Sequence, residues 1–147
     1  MNGRASAPSP PATDAEHDVL LVDDDALVRT IAVRRLRDSG LTLKTCASGA
    51  EALDYLGQAR VRLLLVDFRM QPMDGIEFLE KLHAQGCCES TRIYVATSAM
   101  PEPGVRKRLE QLGAGLLMKA DAVAAGGIAR LLDGPPPNDL SDVENAA

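Results

Sequence analysis

Tryptophan is absent, and two tyrosines and two phenylalanines are the whole aromatic complement of the 147 residues. A core made from this chain must be aliphatic, and an aromatic platform for stacking nucleic-acid bases is missing. Cysteine is sparse: three residues, two of them adjacent (Cys87 and Cys88), with no metal-ligand spacing. They read as reduced thiols of a cytosolic protein. No apolar run approaches the roughly 18 residues of a membrane span, and the first residues lack the apolar stretch of a signal peptide. The expected setting is cytoplasmic, with no membrane contact. An excess of one charge is also missing where it would matter. The net charge is -5, but residues 19–133 carry 15 basic and 15 acidic residues, so the acidic surplus sits at the two ends. A neutral centre argues against direct DNA binding.

What remains is an ordinary globular composition, 46% hydrophobic and 25% charged. Residues 1–18 are rich in proline and serine, and residues 134–147 open with Pro135-Pro136-Pro137 and continue acidic. Both read as disordered tails around one domain at 19–133, because neither buries enough apolar surface to offset its ordering entropy. Within the domain, continuous apolar runs (Val19–Val22, Leu63–Val66, Ile93–Thr97, Leu116–Met118) and a weaker one (Leu41–Cys46) alternate with helical patterns. The first helix has Val28, Ile31, Ala32 and Leu36 on one face and its arginines on others. The last, 121–132, carries Gly126-Gly127 in its middle, which weakens it as a helix. Five such β–α units imply a parallel sheet covered on both faces, with ligands at the carboxyl ends of the strands.

The residues at those ends are Asp23-Asp24-Asp25, Asp67, Thr97-Ser98 and Lys119. A helix N-cap accounts for one aspartate of the first group but leaves two unexplained. If the first and third strands are neighbours, Asp23, Asp24 and Asp67 crowd into one pocket and need a compensating cation. A hard divalent ion with oxygen ligands, Mg²⁺ (or Mn²⁺), suits a site of few carboxylates completed by water and phosphate. Lys119, about two strand spacings or roughly 10 Å away at the backbone, can still deliver its ammonium there. Carboxylate, metal, lysine and hydroxyl are the parts needed to place a phosphoryl group on Asp67 and hold it.

Five segments, in this order, resemble the receiver domain of two-component response regulators: 20–25 (LLVDDD), 47–53 (ASGAEAL), 66–75 (VDFRMQPMDG), 98–99 (SA) and 113–119 (GA…K). The resemblance implies a flavodoxin-like (βα)5 doubly wound parallel sheet with strand order 2-1-3-4-5. It implies Asp67 as phosphoacceptor, Asp24 as a direct metal ligand, Asp23 as a ligand through water, and the backbone carbonyl of Arg69 as another. Ser98 becomes the switch hydroxyl, preferred to Thr97 because Ala99 follows it, and Lys119 the phosphate-facing lysine. The implied partners are a sensor histidine kinase or phosphotransfer protein and a downstream protein target. The chain is then expected to be a stand-alone signalling module and not an enzyme acting on other substrates.

Four departures from the family pattern bear on output: Ala120 replaces the usual proline after Lys119, the proline near Asp67 is displaced by one with Gln71 before Pro72, the Gly113–Lys119 stretch is one residue short, and Leu116 stands at the usual switch aromatic. Three rivals are weaker. An aspartate-nucleophile phosphohydrolase needs an acid two positions after Asp67, where Arg69 stands. A nucleotide binder needs a glycine-rich loop after the first strand, which is missing. A pseudo-receiver would lack one of the key residues. His83 and Arg106-Lys107-Arg108 read as solvated helix faces, the latter with a minor claim as a partner contact.

Overall fold

Apolar runs without polar interruption become inner strands, since both of their faces are covered. The computed structural model describes residues 17–86, 90–124 and 126–133. Its elements alternate: β1 (His17–Val22), α1 (Ala26–Leu36), β2 (Leu43–Cys46), α2 (Gly49–Leu56), β3 (Val61–Asp67), α3 (Gly75–Gln85), β4 (Arg92–Thr97), α4 (Pro103–Gln111), β5 (Ala114–Met118), α5 (Lys119–Ala122) and α6 (Gly127–Asp133). All strand pairings are parallel and the order is β2-β1-β3-β4-β5, as expected. The three strands buried deepest, β1, β3 and β4, occupy the centre.

Alternating side chains feed two aliphatic cores. Leu20, Val22, Leu64, Val66, Ile93 and Val95 meet α2, α3 and α4 through Leu56, Phe78, Leu82 and Leu109. Val19, Leu21, Leu63 and Leu65 meet α1 and α6 through Ala32, Leu36, Ile128 and Leu132. Cys46 is buried, and burial pushes its thiol up to about 11, so it is an apolar filler at neutral pH.

Some boundaries differ from expectation. β1 begins at His17, so His17 and Asp18 are part of the sheet rather than of a tail. His17 Nδ1 lies 2.6 Å from the Tyr55 hydroxyl, and Asp18 accepts from the Thr42 amide and pairs with Arg62 at 3.1 Å. The expected last helix is two: Gly126, with φ of 76°, breaks it. Gly127 then packs so closely that a Cβ there would collide with the Asp121 carbonyl. The expected tails, from residue 16 backward and from 134 onward, lie outside the described residues, as do Cys87 and Cys88. Among the described residues no helix is long and apolar enough to cross a membrane.

Candidate functional site

The turn out of β1 divides the labour of its three aspartates. Asp25 is the N-cap of α1, its Oδ1 accepting the Leu27 amide at 2.9 Å. Asp23 is buried at 1% exposure, and its Oδ1 accepts the Asp25 amide at 2.9 Å. Asp24 is exposed and accepts the Gln71 amide at 3.3 Å from the loop after β3. One cap and two remaining carboxylates is the division that the sequence required.

Asp67 ends β3 at 5% exposure. Val22 pairs with Val66, so Asp23 and Asp67 sit level on adjacent strands. The loop after Asp67 wraps its carboxylate: the Arg69 amide points at Oδ1 from 3.4 Å. Arg69 itself is exposed. Gly75 opens α3 with its amide on the Phe68 carbonyl at 3.0 Å, and a Cβ there would lie 2.8 Å from the Asp67 carbonyl. A side chain at Gly75 would push α3 away from the acidic strand end.

Lys119 crosses the sheet edge as its length allows. Its Nζ lies 3.1 Å from Asp67 Oδ1 and 3.2 Å from Asp23 Oδ2. Burial, then the neighbouring Asp23 charge, raise the Asp67 pKa above the ordinary carboxylate value, against the opposing pull of Lys119. Burial also disfavours the Lys119 ammonium, but its hydrogen bond to Asp67 and the Asp23 charge outweigh that and raise its pKa. Two carboxylates sharing one ammonium remain short of positive charge. One ligand oxygen each from Asp23, Asp24 and Asp67 lie within 4.8 Å of one another. An all-oxygen set that close fits a hard divalent ion with water completing its shell.

The hydroxyl requires a correction. Ser98 lies one residue beyond β4 and is exposed, whereas Thr97 is the last strand residue and is 2% exposed. Val95 lies opposite Leu116 and Thr97 opposite Met118, so strand alternation gives Thr97 the same face as Leu116. The Thr97 hydroxyl donates to the Ala99 carbonyl at 2.7 Å, tying it to the loop that follows. The Ala99 that favours Ser98 in the sequence is held by Thr97 here, its amide donating to the Thr97 hydroxyl at 3.3 Å. The structure thus makes Thr97 the strand-end hydroxyl in place of Ser98.

A second residue was missed. Arg29 is half-buried, not on a solvent face, and its Nη1 donates to the Asp23 carbonyl at 2.8 Å. Its spacing to Ala32 and Leu36 was the available signal. His83 is exposed, and in the basic turn of α4 Arg108 pairs with Glu80 of α3 at 3.0 Å.

Comparison with known proteins agrees with this geometry. The response regulator receiver domain family matches residues 19–123. The chemotaxis protein CheY4 of Vibrio cholerae superposes with a TM-score of 0.71 at 29% identity, covering 81% of this chain and 98% of that one. The two-component response regulator ORR3 of Oryza sativa is 29% identical over 107 residues, 72% of this chain and 82% of that protein. The DNA-binding transcriptional regulator NtrC of Escherichia coli is 41% identical over 64 residues, 44% of this chain but only 14% of that protein. The chain belongs to the receiver domain family of two-component response regulators.

Proposed function

We propose that this receiver accepts a phosphoryl group on Asp67 from a phosphohistidine of a sensor histidine kinase or phosphotransfer protein. The observation that carries the reading is the convergence of Lys119 on Asp67 and Asp23 within 3.2 Å, beside an acidic trio that fits a divalent cation. A carboxylate oxygen of Asp67 forms the new P–O bond while the P–N bond breaks, its electron pair returning to the ring nitrogen of an imidazole that leaves neutral with the proton already on its other nitrogen. Asp24, Asp67, the Arg69 carbonyl and, through water, Asp23 would hold Mg²⁺ (or Mn²⁺), which would supply charge neutralisation at the phosphoryl oxygens. Lys119, whose Nζ lies 3.1 Å from Asp67 Oδ1, would hold the same oxygens, and the buried Thr97 hydroxyl would follow them.

Arg69 stands two residues after Asp67, where a phosphohydrolase would need a proton donor, and its guanidinium cannot serve. The chain then promotes only its own phosphorylation and dephosphorylation, in the cytoplasm, and signals by binding a protein target rather than DNA or membrane. Incubation with acetyl phosphate and Mg²⁺, read by intact mass, is expected to give a single phosphoryl adduct. Labelling that persists in Asp67→Asn, or in excess EDTA, overturns the assignment.

A further inference from the structure

Every polar group of Asp23 is engaged. Its amide donates to the Cys46 carbonyl at 3.1 Å, Oδ1 accepts from the Asp25 amide at 2.9 Å, and Oδ2 faces Lys119 Nζ at 3.2 Å. The fourth group, its carbonyl, accepts from Arg29 at 2.8 Å. That carbonyl belongs to the peptide unit joining Asp23 to Asp24, at the point where β1 ends and the chain turns toward α1. Because the peptide is planar, fixing its oxygen fixes the direction in which both residues leave the strand.

Arg29 is an odd choice for that position unless the bond matters. Arg34, Arg35 and Arg37 are exposed, as soluble helix arginines are, while Arg29 is half-buried on the stripe it shares with Ala32 and Leu36. A charged group taken part-way out of water is costly unless its donors are used. The guanidinium's planar fork can hold a carbonyl with less loss of freedom than a lysine can.

We propose that Arg29 is a positioning residue for the metal-binding pair: it locks the Asp23–Asp24 peptide so that both carboxylates address one divalent cation. This rests on the metal-dependent reading of the site above. It also makes geometry and charge predict opposite outcomes. Arg29 is a cation close to an acidic site, so by charge alone its removal would tighten binding of a divalent ion. By geometry, its removal loosens the pair and weakens binding.

The test is Mn²⁺ affinity, measured by electron paramagnetic resonance of the free ion, in wild type, Arg29→Met and Arg29→Lys. Arg29→Met is expected to lose roughly 10-fold or more in affinity, the usual scale for a residue that orients metal ligands. Arg29→Lys, which keeps a donor and the charge, is expected to recover part of it. In the metal-free proteins, the amides of Asp24 and Asp25 should exchange faster in Arg29→Met while the strands keep their protection. Should Arg29→Met fail to fold, Arg29→Gln, shorter but still a donor, takes its place with the same expected loss of affinity. Equal or tighter Mn²⁺ binding by the folded Met or Gln variant overturns the proposal and leaves the proposed function standing. A wild type that binds no Mn²⁺ overturns both.

Discussion

Burial withdraws water from the Asp67 carboxyl, and Asp23 beside it adds like-charge repulsion, so its folded-state pKa lies above the unfolded value despite Lys119. The folded protein therefore binds this proton more tightly than the unfolded chain. Stability from this group falls as pH rises from the ordinary carboxylate range through the raised pKa, and the penalty is fully present above it. Metal-free Asp67→Asn is then expected to melt higher than wild type at neutral pH, by about 2–6 °C for a cost of about 1 kcal/mol. The gap should close on acidification, and added Mg²⁺ should raise the wild type more than the variant. Lys119 keeps a partner in the variant, because Asp23 Oδ2 is 3.2 Å away. Thermal melts with and without Mg²⁺ check this. An Asn variant that melts lower in EDTA would mean that the Lys119 pairing more than offsets burial and repulsion.

At the scale of elements, the same linkage runs with opposite sign at the far end of β1. Asp18 accepts from the Thr42 amide at 2.9 Å and pairs with Arg62 of β3, so one carboxylate clips β1 to its neighbours on both sides. The Thr42 backbone bond leads the causes that lower its pKa, outweighing the opposing effect of burial. This contribution is present above the ordinary carboxylate value and is lost as pH falls through the lowered one. Asp18→Ala should cost about 1–2 kcal/mol in urea unfolding at neutral pH. The difference should shrink in acid, and a variant as stable as wild type at pH 7 would show that the clip is idle. Reading apolar runs alone started the strand at Val19, because His17 and Asp18 are polar and a run of aliphatic residues is the only signal that method uses. The order of the strands and the four charged residues at their ends were legible for a firmer reason: strict β–α alternation leaves one handedness and one ligand edge. Arg29 was not legible, since a long side chain on an inward stripe can snorkel outward as easily as reach back to the strand end. The single turn of α5 was only half legible: Gly126-Gly127 announced a break, but not that Lys119 would begin the helix directly, with Ala120 where a proline is usual.

For the whole molecule, the question is how a charge placed at Asp67 reaches a surface. On the proposed function, Thr97 is the residue that connects them. It is buried at the end of β4, its hydroxyl donates to the Ala99 carbonyl at 2.7 Å, and it shares a sheet face with Leu116 of β5. A hydroxyl drawn toward a phosphoryl group must release that carbonyl, which frees the loop leading into α4. Leu116 is half-buried against the same core as Val105 of α4 and carries no hydroxyl, so its movement alone changes little exposed polar surface. The change should therefore concentrate in the loop after β4 and in α4, whose side-chain tie to α3 is the exposed Arg108–Glu80 pair. It should also reach the turn at 119–124, where Lys119 is anchored and Arg35 of α1 donates to the Val123 carbonyl at 3.1 Å. Such a response is a shift between populated conformers rather than a new fold. Hydrogen exchange with and without beryllofluoride and Mg²⁺ should show changed protection across 98–112 and 119–124, with α2 and the body of α3 silent. Thr97→Val should abolish the change at 98–112 while still taking up phosphate, and Ser98→Ala should leave it intact. Changes confined to α2 and α3, or loss of the response in Ser98→Ala but not in Thr97→Val, would place the output path elsewhere.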